Sequence, residues 1–353
     1  MQRFFAATFV AAVTFAFSTA VRAEYAEYYD GAAESQSAPE PAASYQDSAE
    51  DCSGGAAVGS CYSGCRSICD SDLPECCDCF NGRKRLFGFL PSDHCFDRFI
   101  SPISNPFFFE DPRSLTEVRT IFIDNTLPRD NTGGGDVQVY GAQFRGRISD
   151  RFSVIAPRLA DMQLNNSDNG HPHGFMSAPI GGKYNLIRDV DNQFLVSVGA
   201  TYFIPGFRNV FQGFGTGDFH FFATAGKQIF DRGHWISGSG FRIPTDSNYG
   251  TQMWYWSNQW DYELPGHIYP LMGVNWYHWM RSAGLNATNG LTGLDIVNLP
   301  TAAVAGTNVA TYVIGARWKP SSHWEVGAGW ETPLTQNHDI LQNRVYTDLI
   351  LRY

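Results

Sequence analysis

The chain has 353 residues, enough for one large domain or two ordinary ones, with a formal net charge of −10 and a pI near 5.3. That acidity, with no concentrated basic patch, excludes a nucleic-acid partner. Only 17% of residues are charged while 15% are aromatic, with 35 Gly and a mean hydropathy of −0.24. This composition argues against helical membrane spans and for a sheet protein with tight turns, because lumen-facing residues of a barrel cancel lipid-facing ones in any average.

The first residues read as a signal peptide over 1–23. Arg3 supplies the positive start, Phe4 to Phe17 a mostly apolar run too short for a membrane helix, and Val21-Arg22-Ala23 a cleavage site ahead of Glu24. No cysteine sits at that site, so no lipid anchor is expected. Residues 24–51 are Ala, Ser, Pro and acidic residues, which bury too little apolar surface to offset their ordering entropy, so they are expected to form a disordered acidic tether.

Residues 52–115 are expected to hold a small Cys-rich periplasmic module and a docking segment. All eight cysteines lie there: Cys52, Cys61, Cys65, Cys69, Cys76, Cys77, Cys79 and Cys95. An even count behind a signal peptide reads as a disulfide framework whose connectivity the spacing leaves open. Cys76-Cys77-Asp78-Cys79 with Cys65, Cys69 and His94 offers a thiolate zinc site as the alternative, but the paired C-x-x-C form is missing, so no metal is assigned. Asp93 to Phe109 is a dense apolar cluster. It is expected to form a short helix, broken by Pro102 and Pro106, that docks on the near end of the following domain or partly enters its mouth.

Residues 116–353 form the main domain. Alternation and turn residues predict strands at 117–125, 137–148, 152–162, 175–187, 193–204, 218–228, 234–243, 252–264, 267–279, 308–318, 324–333 and 343–353. In the fifth, Phe194, Val196, Val198, Ala200, Tyr202 and Ile204 face away from Ser197, Gly199 and Thr201. In the eighth, Asn258 falls on the Trp face, and a bulge is expected there. Short links follow the even strands and longer ones the odd strands, as an up-and-down barrel with both ends on one side requires. Tyr140, Tyr184, Tyr202, Trp235, Trp254, Trp256, Trp260, Trp276, Trp318, Trp324, Trp330 and Tyr353 fall mostly near strand ends, where rings suit the headgroup level.

The last strand sets Tyr353, Leu351, Leu349, Thr347 and Val345 against Arg352, Ile350, Asp348, Tyr346 and Arg344. An apolar face ending on a terminal aromatic resembles the closing strand of bacterial outer-membrane β-barrels. The resemblance covers roughly Glu117 to Tyr353. It implies an all-β, closed, up-and-down antiparallel transmembrane β-barrel of about twelve strands in the outer membrane. It further implies contact with outer-membrane lipid and delivery by the barrel-assembly machinery, with Tyr353, Leu351 and Leu349 as the assembly signal.

If the apolar faces meet lipid, the opposite faces line the lumen. They carry Arg145, Arg147, Lys183, Lys227, Arg242, Asp261, Glu263, Arg317, Glu325, Glu331, Arg344 and Asp348. Such charges must pair or face water. The expected function is a porin-like channel passing small polar solutes, with no cofactor. The alternative is a structural envelope protein whose barrel anchors the Cys-rich module, and a third reading is a lipid-modifying enzyme. No His and Ser two residues apart support the third: neither Ser237 nor Ser239 has that spacing from His234. His171-Pro172-His173 reads as a polar loop.

Overall fold

The structure is a computed structural model, and it describes residues 85–166, 171–205, 216–288 and 290–353. The expected signal peptide, tether and seven of the eight cysteines lie outside the described residues. Cys95 is described; it is half-buried on a short turn, and its carbonyl accepts a hydrogen bond from Gln193 Nε2 at 3.0 Å.

Alternating side chains build thirteen strands: β1 (Glu117–Thr126), β2 (Asp136–Arg147), β3 (Phe152–Asn165), β4 (His173–Phe175), β5 (Ala178–Asp189), β6 (Phe194–Ile204), β7 (Asp218–Phe230), β8 (Gly233–Pro244), β9 (Gln252–Tyr262), β10 (Ile268–Arg281), β11 (Asn308–Ser321), β12 (Trp324–Pro333) and β13 (Asn343–Arg352). Each pairs antiparallel with its neighbour, and β13 returns to β1 from Glu117↔Arg352 to Thr126↔Asn343. The short β4 pairs with β3 in the register that β5 continues, so the ring is a closed barrel of 12 strands without a free edge. The short links lie at one end, where the chain also terminates, and the long loops at the other.

One face of each strand is apolar and outward. Val118, Tyr140, Ile180, Phe221, Met272, Ile314 and Leu351 are among the exposed side chains that make a belt around the wall. A soluble monomer rarely exposes so much contiguous apolar surface. In β9 the expected bulge is absent between Met253 and Asp261, where the register runs unbroken. Asn258 stays on the Trp face because Trp235 Nε1 donates to its Oδ1 at 3.1 Å.

The interior differs from the expected charge and water. Residues 90–116 enter from the short-turn end, reach the middle of the barrel and return. The base of this finger is closed by Asp93 N–H donating to Ser114 O at 2.9 Å, and Leu90 N–H donates to Arg147 O at 2.8 Å. Its tip turns at Asn105 (φ 46°), whose carbonyl accepts from Phe108 and Phe109. Asparagine tolerates that left-handed conformation better than most residues. The expected helix is confined to a three-residue turn, His94–Phe96, because the finger's polar backbone finds partners on the wall instead. Gln143 Nε2 donates to Pro106 O at 2.5 Å, Tyr255 Oη to Phe108 O at 2.6 Å, and Thr224 Oγ1 to Glu110 O at 2.9 Å. Glycines on the inner wall admit the finger's rings. A Cβ on Gly238 would lie 2.6 Å from Phe109 Cδ2, and one on Gly226 3.1 Å from Phe99 Cε1.

From the other end, the 282–307 loop folds inward. Its Leu294, Ile296 and Val297 join a buried cluster with Ile103, Phe107 and Phe108 of the finger and Ile123, Val139, Phe203, Tyr277 and Val313 of the wall. The long-loop half of the lumen is therefore largely apolar, and the short-turn half holds most of the charge.

Candidate functional site

The short-turn half of the barrel contains a layer of buried ions in which wall and finger share partners. Arg145, on β2, grips Glu110 of the finger with two bonds, Nε to Oε1 at 2.5 Å and Nη2 to Oε2 at 2.8 Å. Its Nη1 reaches Glu117 at 2.8 Å. Lys183, on β5, approaches Glu110 Oε1 at 3.2 Å and donates to the carbonyls of Asp111 and Arg113. Burial opposes a charge on Glu110, but the Arg145 and Lys183 cations outweigh it and hold the carboxyl at about 2.

The closing strand carries the other half of the layer. Asp348 receives Arg317 twice at 2.7 Å and Arg119 through Nε at 2.8 Å, which joins β11, β13 and β1. Arg352 reaches Glu117 at 2.7 Å and Glu325 at 2.5 Å, and its Nη2 donates to Ser101 Oγ of the finger at 2.8 Å. Arg317 Nε also donates to Ser101 O at 2.7 Å, and Lys319 to the carbonyls of Asp97 and Phe99. A buried charge is tolerated only with such partners. At the rim, burial would raise the Asp97 carboxyl, yet the His94 hydrogen bond and the Lys319 charge leave it below its ordinary value.

A second group ties down the inward loop. Arg344 Nη1 reaches Asp295 at 2.9 Å and Glu331 at 3.5 Å, and Arg242 Nη1 donates to the carbonyls of Leu294 at 2.8 Å and Val297 at 3.0 Å.

Of the expected lumen residues, Arg145, Lys183, Arg242, Asp261, Arg317, Glu325, Glu331, Arg344 and Asp348 are buried inside. Lys227 is not there. It shares strand parity with the exposed Phe219 and Phe221, lies on the outer face, and donates to Asn192 O at 2.6 Å. Arg147 and Glu263 sit at the short-turn rim, Arg147 on Pro91 O at 3.0 Å and Glu263 beyond the end of β9, 3.3 Å from His267. Sequence reading missed Glu117 and Arg119, although both alternate with outward Val118 and Thr120. It also missed Glu110, Asp111 and Arg113, because a non-strand segment carries no alternation to place them.

Arg158 was missed for a different reason. Between Ala142 and Phe144 of β2 the register with β3 shifts, so that Pro157 and Arg158 together face Gln143. This bulge reverses the parity of β3. Outward Phe152 and inward Ser153 and Ile155 precede it, and inward Arg158, Ala160 and Met162 follow it. A proline inside a strand was the available signal.

The histidines form no hydrolytic constellation among the described residues. His234 Nδ1 lies 2.8 Å from Asp261, but Ser237 and Ser239 are on the opposite face of β8 and accept hydrogen bonds from Trp256 and Trp254. His220 shares hydrogen bonds with Thr201 and Tyr255. His171 is exposed beside Asn165, and no cluster of metal-ligating side chains occurs among the described residues.

No protein-family model matches the sequence, and no curated protein matches it. Solved structures match the fold. An outer membrane channel from Pseudomonas putida F1, described as COG4313, has a TM-score of 0.50 and 9% identity over 72% of this chain and 100% of that one. The KdgM porin has a TM-score of 0.41 and 8% identity over 67% of this chain and 99% of that one. At such identities the likeness concerns architecture. In that architecture the chain is a closed twelve-strand β-barrel of the outer-membrane type.

Proposed function

We propose that the chain is an outer-membrane channel for small polar solutes, closed in this conformation by its own finger. The barrel-assembly machinery would insert it, reading Tyr353, Leu351 and Leu349, with the short turns facing the periplasm. The observation that carries this reading is how the inner wall is satisfied. Arg145, Lys183, Arg317, Lys319 and Arg352 depend partly on a segment that belongs to no strand and joins the barrel covalently at Thr116. A barrel built only as an anchor could fill its lumen with wall side chains alone. The outward apolar belt supports placement in lipid, and the channel and porin folds it resembles support passage through the ring.

Planar-bilayer recording tests this. The full chain is expected to give rare openings, and a chain lacking residues 24–115 a sustained current. Silence from both, with folded barrels inserted, would favour the anchoring role and end the channel reading.

A further inference from the structure

The channel reading leaves the class of solute open, and the contact between Arg145, Lys183 and Glu110 addresses it. We infer that Arg145 and Lys183 form a binding site for the carboxylate of an anionic solute, and that Glu110 of the finger occupies it in the closed state. This inference rests on the channel reading.

Both Glu110 oxygens are held by one guanidinium, at 2.5 and 2.8 Å, with an ammonium 3.2 Å from the first. A bidentate Arg fork with an adjacent Lys is the geometry by which proteins recognise carboxylates. The Glu110 carboxylate belongs to the finger rather than the wall, so any motion that opens the lumen removes it. Arg145 would keep Glu117, but among the described residues Glu110 is the acid paired with Lys183.

Two wall side chains beside this pair have spare donors. Ser153 lies directly opposite Lys183 in the β3–β5 ladder, and its buried hydroxyl has no hydrogen-bond partner. Asn185, two residues along the same inward face of β5, has a buried and unpartnered Nδ2. Buried polar groups usually find partners, so idle donors around a carboxylate cradle point to a ligand richer in acceptors than Glu110. Elsewhere the finger meets both donors and acceptors of the wall: Arg317, Lys319 and Lys183 donate to its carbonyl oxygens, while Glu325 and Gln259 accept from the Ser101 and Ile103 N–H groups. The cationic part of the covered surface is the stretch around Glu110, where Arg145 and Lys183 converge.

The test uses full-length chain in planar bilayers under a KCl gradient, with citrate as the probe. Glu110→Gln should open more often than wild type, because the finger loses its ionic hold. Its reversal potential should show anion preference, and citrate should block the current. Adding Lys183→Gln should weaken that block about tenfold, the loss expected for one charge-assisted hydrogen bond. A Glu110→Gln current that prefers cations or ignores citrate overturns the carboxylate site and leaves the channel reading standing. No current from wild type or variant overturns both. Should the variants fail to insert, the sign of the wild-type reversal potential decides, with cation preference against the site.

Discussion

Arg158 of β3 donates to the backbone carbonyl of Ile296 at 2.6 Å, joining the barrel wall to the loop that folds in from the far end. It reaches the lumen because the bulge at Pro157 turns it inward, and it lies over the rings of Phe107 and Phe203 at 5.2 and 4.8 Å. One guanidinium thus bridges wall, loop and finger. Replacing Arg158 with Met should remove that bond while keeping most of the apolar volume. A hydrogen bond to a charged group is worth about 1.5–3 kcal/mol, so the 282–307 loop should be cut sooner in limited proteolysis while the barrel remains intact. Unchanged cleavage would mean that Arg242, Arg344 and the apolar contacts hold the loop without Arg158.

Gly238 supplies a point test of the finger's seat. Leu at this position would project into the space held by Phe109, and it faces the lumen, away from lipid. Overpacking typically costs about 1–3 kcal/mol, which falls here on a segment that belongs to no strand of the barrel. Gly238→Leu should therefore raise bilayer conductance more than it lowers the unfolding temperature of the barrel. The reverse order would show that finger and wall unfold as one body.

Asp348 serves Arg119 and Arg317 together. In Asp348→Asn two buried guanidiniums lose their nearest carboxylate, a change expected to cost on the order of 3–5 kcal/mol. The readout is the temperature at which the folded band is lost in gel-shift unfolding. Leu349→Ala, on the adjacent outward position, should lower it less.

On the proposed reading, Tyr353 would connect assembly to closure. Its carbonyl accepts from Ser92 N–H at 2.6 Å and its own N–H donates to Thr116 O at 2.9 Å, so the chain terminus is stitched to both ends of the finger. Deleting Tyr353 should slow insertion in an assembly assay and, in the molecules that do insert, increase channel openings. Normal insertion with unchanged openings would remove both roles.

The barrel was legible in the linear order of residues because a strand has only two faces. Alternation such as Val196, Val198 and Ala200 against Ser197 and Thr201 states which side meets lipid, and the expected strands agree with the observed ones to within a few residues. The same regularity misled wherever it was interrupted or overrun. Alternation did not mark Arg158 for the lumen, because a bulge reverses parity without changing the composition of β3. Lys227 was taken for lumen although it lies on the outer parity, where a long side chain at the strand end reaches the polar rim.

What the chain determined by itself was local: where strands run, which faces are apolar, and that the inward faces carry charges in need of partners. Which partners those charges take was decided by tertiary structure alone. Glu110 lies 35 residues from Arg145 and 73 from Lys183, and Ser101 lies 251 from Arg352. Nothing periodic links such positions. The finger's carbonyls and its Asp93 and Glu110 carboxylates find the wall only after the ring has closed, because only closure gathers the cations of separate strands around one confined volume.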